Sequence, residues 1–123
     1  PTTVLLMAAA RRDFFLTVQH GQFYQGKPVI GYDLPGFGDE LCGLPYLPRL
    51  IAKARAKLVG SMGDDIIYCC ENDRRFFRDH GNIHPADFLR VVWAAGDSDP
   101  KVYDYVRQRT LSVSSAVPDN EQM

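Results

Sequence analysis

One stretch, LPRLIAKARAKLVG (Leu47–Gly60), most strongly limits what this chain can fold into. Leu47, Leu50, Ile51, Ala54 and Leu58 fall on one stripe at about 3.6 residues per turn, the pattern of a helix with one face on a core. Arg49, Lys53 and Lys57 step by four along another face, Arg55 flanks the stripe, and Gly60 supplies a stop. Such a stripe needs partners, and the sequence predicts them. Pro85 suits the first turn of a helix that runs to Ala95 and closes at Gly96, with Phe88, Leu89, Val92 and Trp93 on its buried face. Asp99 and Pro100 open another, with Val102, Tyr103 and Val106 on its apolar side. Asn72 reads as the cap of a short helix, Asp73–His80, ended by Gly81. After Leu111 the chain turns polar and reads as a flexible tail.

The first third reads differently. Thr2–Ala10 and Phe14–Gln19 are apolar enough for strands, and Val29–Tyr32 for a third short one. Pro35, Gly36, Gly38 and Gly43 make Asp33–Leu44 a loop, and Ile66–Cys70 reads as strand or extended chain. The expected fold is therefore α+β: a single, mainly helical domain with about four helices and a short N-terminal β-hairpin or meander. Residues 1–31 would be a β-rich extension, 32–110 the helical part and 111–123 the tail.

The chain has 123 residues, 46% hydrophobic and 24% charged, enough for one real core. Fourteen basic residues stand against fifteen acidic ones, net −1, which argues against a general binder of nucleic acid or anionic membranes. No stretch approaches the roughly 18 apolar residues of a membrane span, and the apolar run at the start carries its positive charges after it rather than before, unlike a secretory signal. Three cysteines, two of them adjacent, do not make a disulfide framework, so free thiols in a cytoplasmic setting are expected.

Candidate chemistry gathers in IIYCCENDRRFFRDH (Ile66–His80). A nucleophilic cysteine needs a base in reach and a cation or helix N-terminus beside it. Cys70, with Asp73, Arg75 and His80, offers such a catalytic set. The competing reading makes the same residues a strand-to-helix junction held by Asp–Arg pairing. A metal site from Cys69, Cys70, His80 and His84 lacks the usual ligand spacing, so no metal and no cofactor are expected. No phosphate-binding glycine loop, Gly-x-Ser-x-Gly or His-Glu-x-x-His motif occurs. An N-terminal proline base at Pro1 would require a long helix after a first strand, and the glycine- and proline-broken segment Phe14–Gly43 does not suit one. Arg49, Lys53, Arg55, Lys57 and Arg74 form a candidate ligand-binding set, because guanidinium and ammonium groups pair with carboxylates and phosphates. Two functional classes follow: a binding module for an anionic small molecule or an acidic protein partner, and a small enzyme. A strand edge would also permit pairing into a homodimer.

The helix LPYLPRLIAKARAKLVGSMGD, then Tyr68, Cys70, Asp73-Arg74-Arg75-Phe76-Phe77 and Pro85-Ala86-Asp87-Phe88-Leu89, resembles a bacterial family catalogued as domain of unknown function 5069. The resemblance runs over about residues 32–109 and is most specific through the KARAKL helix. It implies a mainly helical, bacterial cytoplasmic protein and carries no assigned activity. It also singles out Cys70 over Cys69, and adds interest to Lys53, Arg55, Lys57, Asp73 and Arg75.

Overall fold

A computed structural model describes the backbone of residues 2–121 and the side chains of residues 2–113. Five α-helices make up most of it: α1 (Thr2–Thr17), α2 (Leu47–Val59), α3 (Glu71–Asp79), α4 (Pro85–Ala95) and α5 (Asp99–Glu121). Between α1 and α2 lie a single 3-10 turn (Gly31–Asp33) and a two-stranded antiparallel hairpin, β1 (Glu40–Leu41) and β2 (Leu44–Pro45). Glu40 faces Pro45 and Leu41 faces Leu44. The α+β class, mainly helical with one small hairpin, is as the sequence implies.

The stripe on α2 decides the packing. Leu47, Leu50, Ile51, Ala54 and Leu58 are all buried, and α2 touches α1, α4 and α5. Phe76 and Phe77 of α3, Phe88, Leu89 and Val92 of α4, and Val102 and Val106 of α5 complete the core. Gly60 ends α2 in a left-handed conformation (φ 83°) that glycine adopts without strain. Gly81 (φ 95°) has a second reason to be glycine. A Cβ there would lie 2.6 Å from the Arg109 carbonyl oxygen, so only glycine lets the end of α3 sit on α5.

The strands expected at Thr2–Ala10 and Phe14–Gln19 are corrected: almost all of that segment is one helix, α1. The run Leu5–Arg12 consists of leucine, methionine, alanine and arginine, the strongest helix formers, and outweighs the few β-branched residues before it. Tertiary contacts anchor it. Ala10 is fully buried, the Phe14 ring meets Trp93 edge-on with centroids 5.4 Å apart, and Arg11 Nε donates to the Lys57 carbonyl. Val29 does pair, but only in an isolated parallel bridge to Met62. Ile66–Cys70 forms no strand: it is irregular chain with a turn at Tyr68–Cys69, and Cys70 itself is extended. Where the sequence reads as a tail after Leu111, the backbone continues α5 to Glu121. Among the described residues, no helix is long and apolar enough to cross a membrane.

Candidate functional site

The junction between α2 and α3 holds a buried charge. Asp73, at the third position of α3, is 0% exposed, and each of its oxygens is occupied. Oδ2 accepts from Lys53 Nζ at 2.8 Å, from the Cys69 backbone N–H at 2.8 Å and from the Cys70 N–H at 3.4 Å. Oδ1 accepts a short hydrogen bond from the Tyr46 hydroxyl. A carboxylate taken out of water at large cost is tolerable only with this degree of pairing. Lys53, 4% exposed, is equally committed: its Nζ also lies 3.5 Å from Cys70 Sγ.

The backbone is bent to make this arrangement. Asp73 reaches back to the start of its own helix as in a capping box, which makes Cys70, and not Asn72, the residue that caps α3. Cys69 (φ 72°) and Tyr46 (φ 76°) both occupy the left-handed region, rare for residues with bulky side chains. Each supplies one of Asp73's hydrogen bonds, so the strain is held by the buried carboxylate. Burial, then the hydrogen bond to Asp73 and its charge, pushes the Tyr46 phenol far above its ordinary pKa. Burial also raises the Cys69 thiol, only partly offset by Arg74.

Above the pair opens a cleft of about 200 Å³ lined by Phe37, Tyr46, Arg49, Lys53, Asp65, Ile66, Ile67, Cys70 and Asn72. Arg49 stacks over the Phe37 ring at 4.2 Å and donates from Nη1 to the Pro35 carbonyl. Among the described residues its guanidinium meets no carboxylate, and its Nε is buried with no hydrogen-bond partner.

The structure thus brings together Cys70, Asp73, Lys53 and Arg49 from the sequence-predicted residues and scatters the rest. Arg75 and His80 line a neighbouring cleft, which shares Phe37, Tyr46 and Asn72 with the first. His80 sits at the far end of α3 from Cys70, a nine-residue span of about 13 Å, with its ring stacked on Phe76 and Nδ1 against the Phe76 carbonyl. Arg55 bonds Asp99 and the Gly96 carbonyl, Arg74 bonds Glu71 and the Cys69 carbonyl, and Lys57 lies beside Arg11 in a shallow surface hollow. The Asp–Arg pairing expected of this junction is replaced by Asp73–Lys53. Among the described residues, no group of three or more His, Cys, Asp or Glu side chains is placed to hold a metal ion.

Tyr46 is a site residue that the sequence reading does not single out. Its position directly before Leu47-Pro48, where α2 begins, was the available signal.

A mainly helical domain with a buried lysine–aspartate pair beneath a cleft is therefore the frame for comparison with known proteins. Residues 38–117 match the model of a family described as a domain of unknown function, DUF5069, and the chain belongs to that family. No curated protein and no solved structure matches the chain.

Proposed function

We propose that this protein binds a small organic anion in the cleft between α2 and α3, with Arg49 receiving the carboxylate. The supporting observation is the state of Arg49: a partly buried guanidinium on the cleft wall, held by Phe37 and Pro35 and in no ion pair among the described residues. Guanidinium N–H groups fit carboxylate oxygens in a two-pronged geometry. Phe37, Ile66 and Ile67 offer apolar surface for the rest of the ligand. The cleft is smaller than the roughly 300–1,000 Å³ typical of drug-sized ligands, which favours a compact acid. A broad acidic protein surface is less well served, because Arg55, Lys57 and Arg74 lie apart and two of them have local acidic partners. Free thiols at Cys42, Cys69 and Cys70 suit a reducing compartment, and we place the protein in the bacterial cytoplasm.

The test is titration calorimetry against a panel of small mono- and dicarboxylates, beside Arg49→Gln. A carboxylate should bind, and Arg49→Gln should weaken it about ten- to a hundredfold at an unchanged melting temperature. If no carboxylate binds at millimolar concentration, or the variant binds equally well, the reading fails.

A further inference from the structure

At the floor of the cleft and just beneath it, a nucleophile, a proton carrier and a carboxylate lie in one line of contacts. Cys70 Sγ lies 3.5 Å from Lys53 Nζ, and Lys53 Nζ lies 2.8 Å from Asp73 Oδ2. We propose that Cys70, Lys53 and Asp73 act as a triad for acyl transfer, hydrolysing a small amide or ester whose acyl part carries a carboxylate. The substrate class rests on the anion-binding reading of Arg49; the chemistry rests on these two contacts.

Such constellations are recognised by geometry and roles, not by chain order. Cys70 is the one thiol of the three that lines the cleft, and it caps a nine-residue helix. The backbone N–H groups of Glu71 and Asn72 belong to the first turn of α3, where a helix leaves its donors without internal acceptors. Those donors are the available stabilisers of an oxyanion formed on a carbonyl attacked by Sγ. Asn72 also lines the cleft. Asp73 does not touch the substrate. It is a positioning residue, fixing Lys53 while Tyr46 and the Cys69 N–H fix Asp73. His80, at the opposite end of α3, has no part in this chemistry.

The sequence of events balances as follows. The Cys70 thiolate attacks the carbonyl carbon, forming a C–S bond and moving the carbonyl π pair onto oxygen. Collapse of this intermediate breaks the bond to the leaving nitrogen or oxygen, which takes a proton from the Lys53 ammonium. A thioester and a neutral Lys53 amine remain. Water then attacks the thioester and gives its proton to that amine. Cleavage of the C–S bond releases the acid and restores thiolate and ammonium. Water is the only co-reactant.

The test mixes the full chain carrying Cys42→Ser with 4-nitrophenyl acetate. Cys42 is an exposed thiol outside this cleft, and the substitution removes its background reaction. The expected result is a burst of one nitrophenolate per chain, an acetyl adduct mapped to Cys70, and then continued turnover. Adding Cys70→Ala should abolish the burst and lower turnover about a hundredfold or more, with the melting temperature retained. Lys53→Met should leave the adduct accumulating, because no amine remains to take the proton of water. Asp73→Asn should lower kcat for deacylation with KM little changed, since Lys53 Nζ loses the partner that positions it. Should either of these two fail to fold, Cys70→Ala still decides. Absence of a burst, a burst that survives Cys70→Ala, or an adduct that never turns over would overturn the triad. Turnover without carboxylate binding would leave the triad standing and sink the anion reading; carboxylate binding without acylation would do the reverse.

Discussion

Helix α3 carries two ionic clusters within one turn of each other, and they behave as different materials. On its inner face Asp73 is sealed from water with Lys53, Tyr46 and two backbone N–H groups. On its outer face Glu71 binds Arg74 at 2.9 Å and Arg78 at 3.1 Å, in full contact with solvent. The outer cluster has more charges at nearly the same distances, and these neighbours hold the Glu71 carboxyl below its usual range. Distance alone therefore does not rank the two. What separates them is the consequence of removing a partner: outside, water takes the vacated place; inside, an uncompensated charge is left in a medium that cannot solvate it.

The strongest test of this contrast is to cut the inner pair. Asp73→Ala or Lys53→Met should destabilise the fold by about 3–5 kcal/mol in urea or thermal unfolding. An Asp73→Ala protein that melts like the parent would break the contrast and leave Asp73 a role in binding alone.

Tyr46→Phe is milder, since it strips one hydrogen bond from a charge that keeps its others. A loss of about 1–3 kcal/mol is expected at neutral pH. Its pH dependence sharpens the point. The folded state holds the Tyr46 phenol neutral well above its ordinary value of 10.0, whereas the unfolded chain ionises it near that value. The phenol's contribution is thus fully present below pH 10 and is lost as pH rises beyond it. Buried Tyr68 shifts in the same direction, so the parent should weaken above pH 10 and Tyr46→Phe should weaken less steeply. Parallel curves for the two would refute the assignment to Tyr46.

The smallest effect belongs to the outer face. Glu71→Ala should leave the melting temperature within experimental error, and a clear loss there would show that solvent screens this cluster less than its exposure implies.

How far the sequence revealed all this depends on how local each signal was. Helices α2 and α4 and the start of α5 announce themselves through Gly60, Pro85, Gly96 and Asp99, because stops and starts are written in backbone chemistry. Helix α1 does not. Val4, Leu5, Leu6 and Leu16 remain exposed, so its apolar residues encircle it and no single stripe stands out. The site was half visible. Cys70 and Asp73 are three apart at a helix start, a spacing with mechanical meaning. That Lys53 would be buried under them, while Lys57 one turn on stays partly exposed, depends on how α2 and α3 dock, which no local pattern encodes.

The contacts of α1 carry one more consequence. Family likeness begins at residue 38, but the core does not. Ala10 is sealed inside it, Phe14 backs Trp93, and the Arg90 guanidinium reaches Asp13 at 2.9 Å. The stretch that the family model covers and the stretch that must stay joined to remain folded are thus different lengths of chain. A version trimmed to the region of likeness would bare the apolar flanks of α2 and α4, trading an internal seam for a sticky surface.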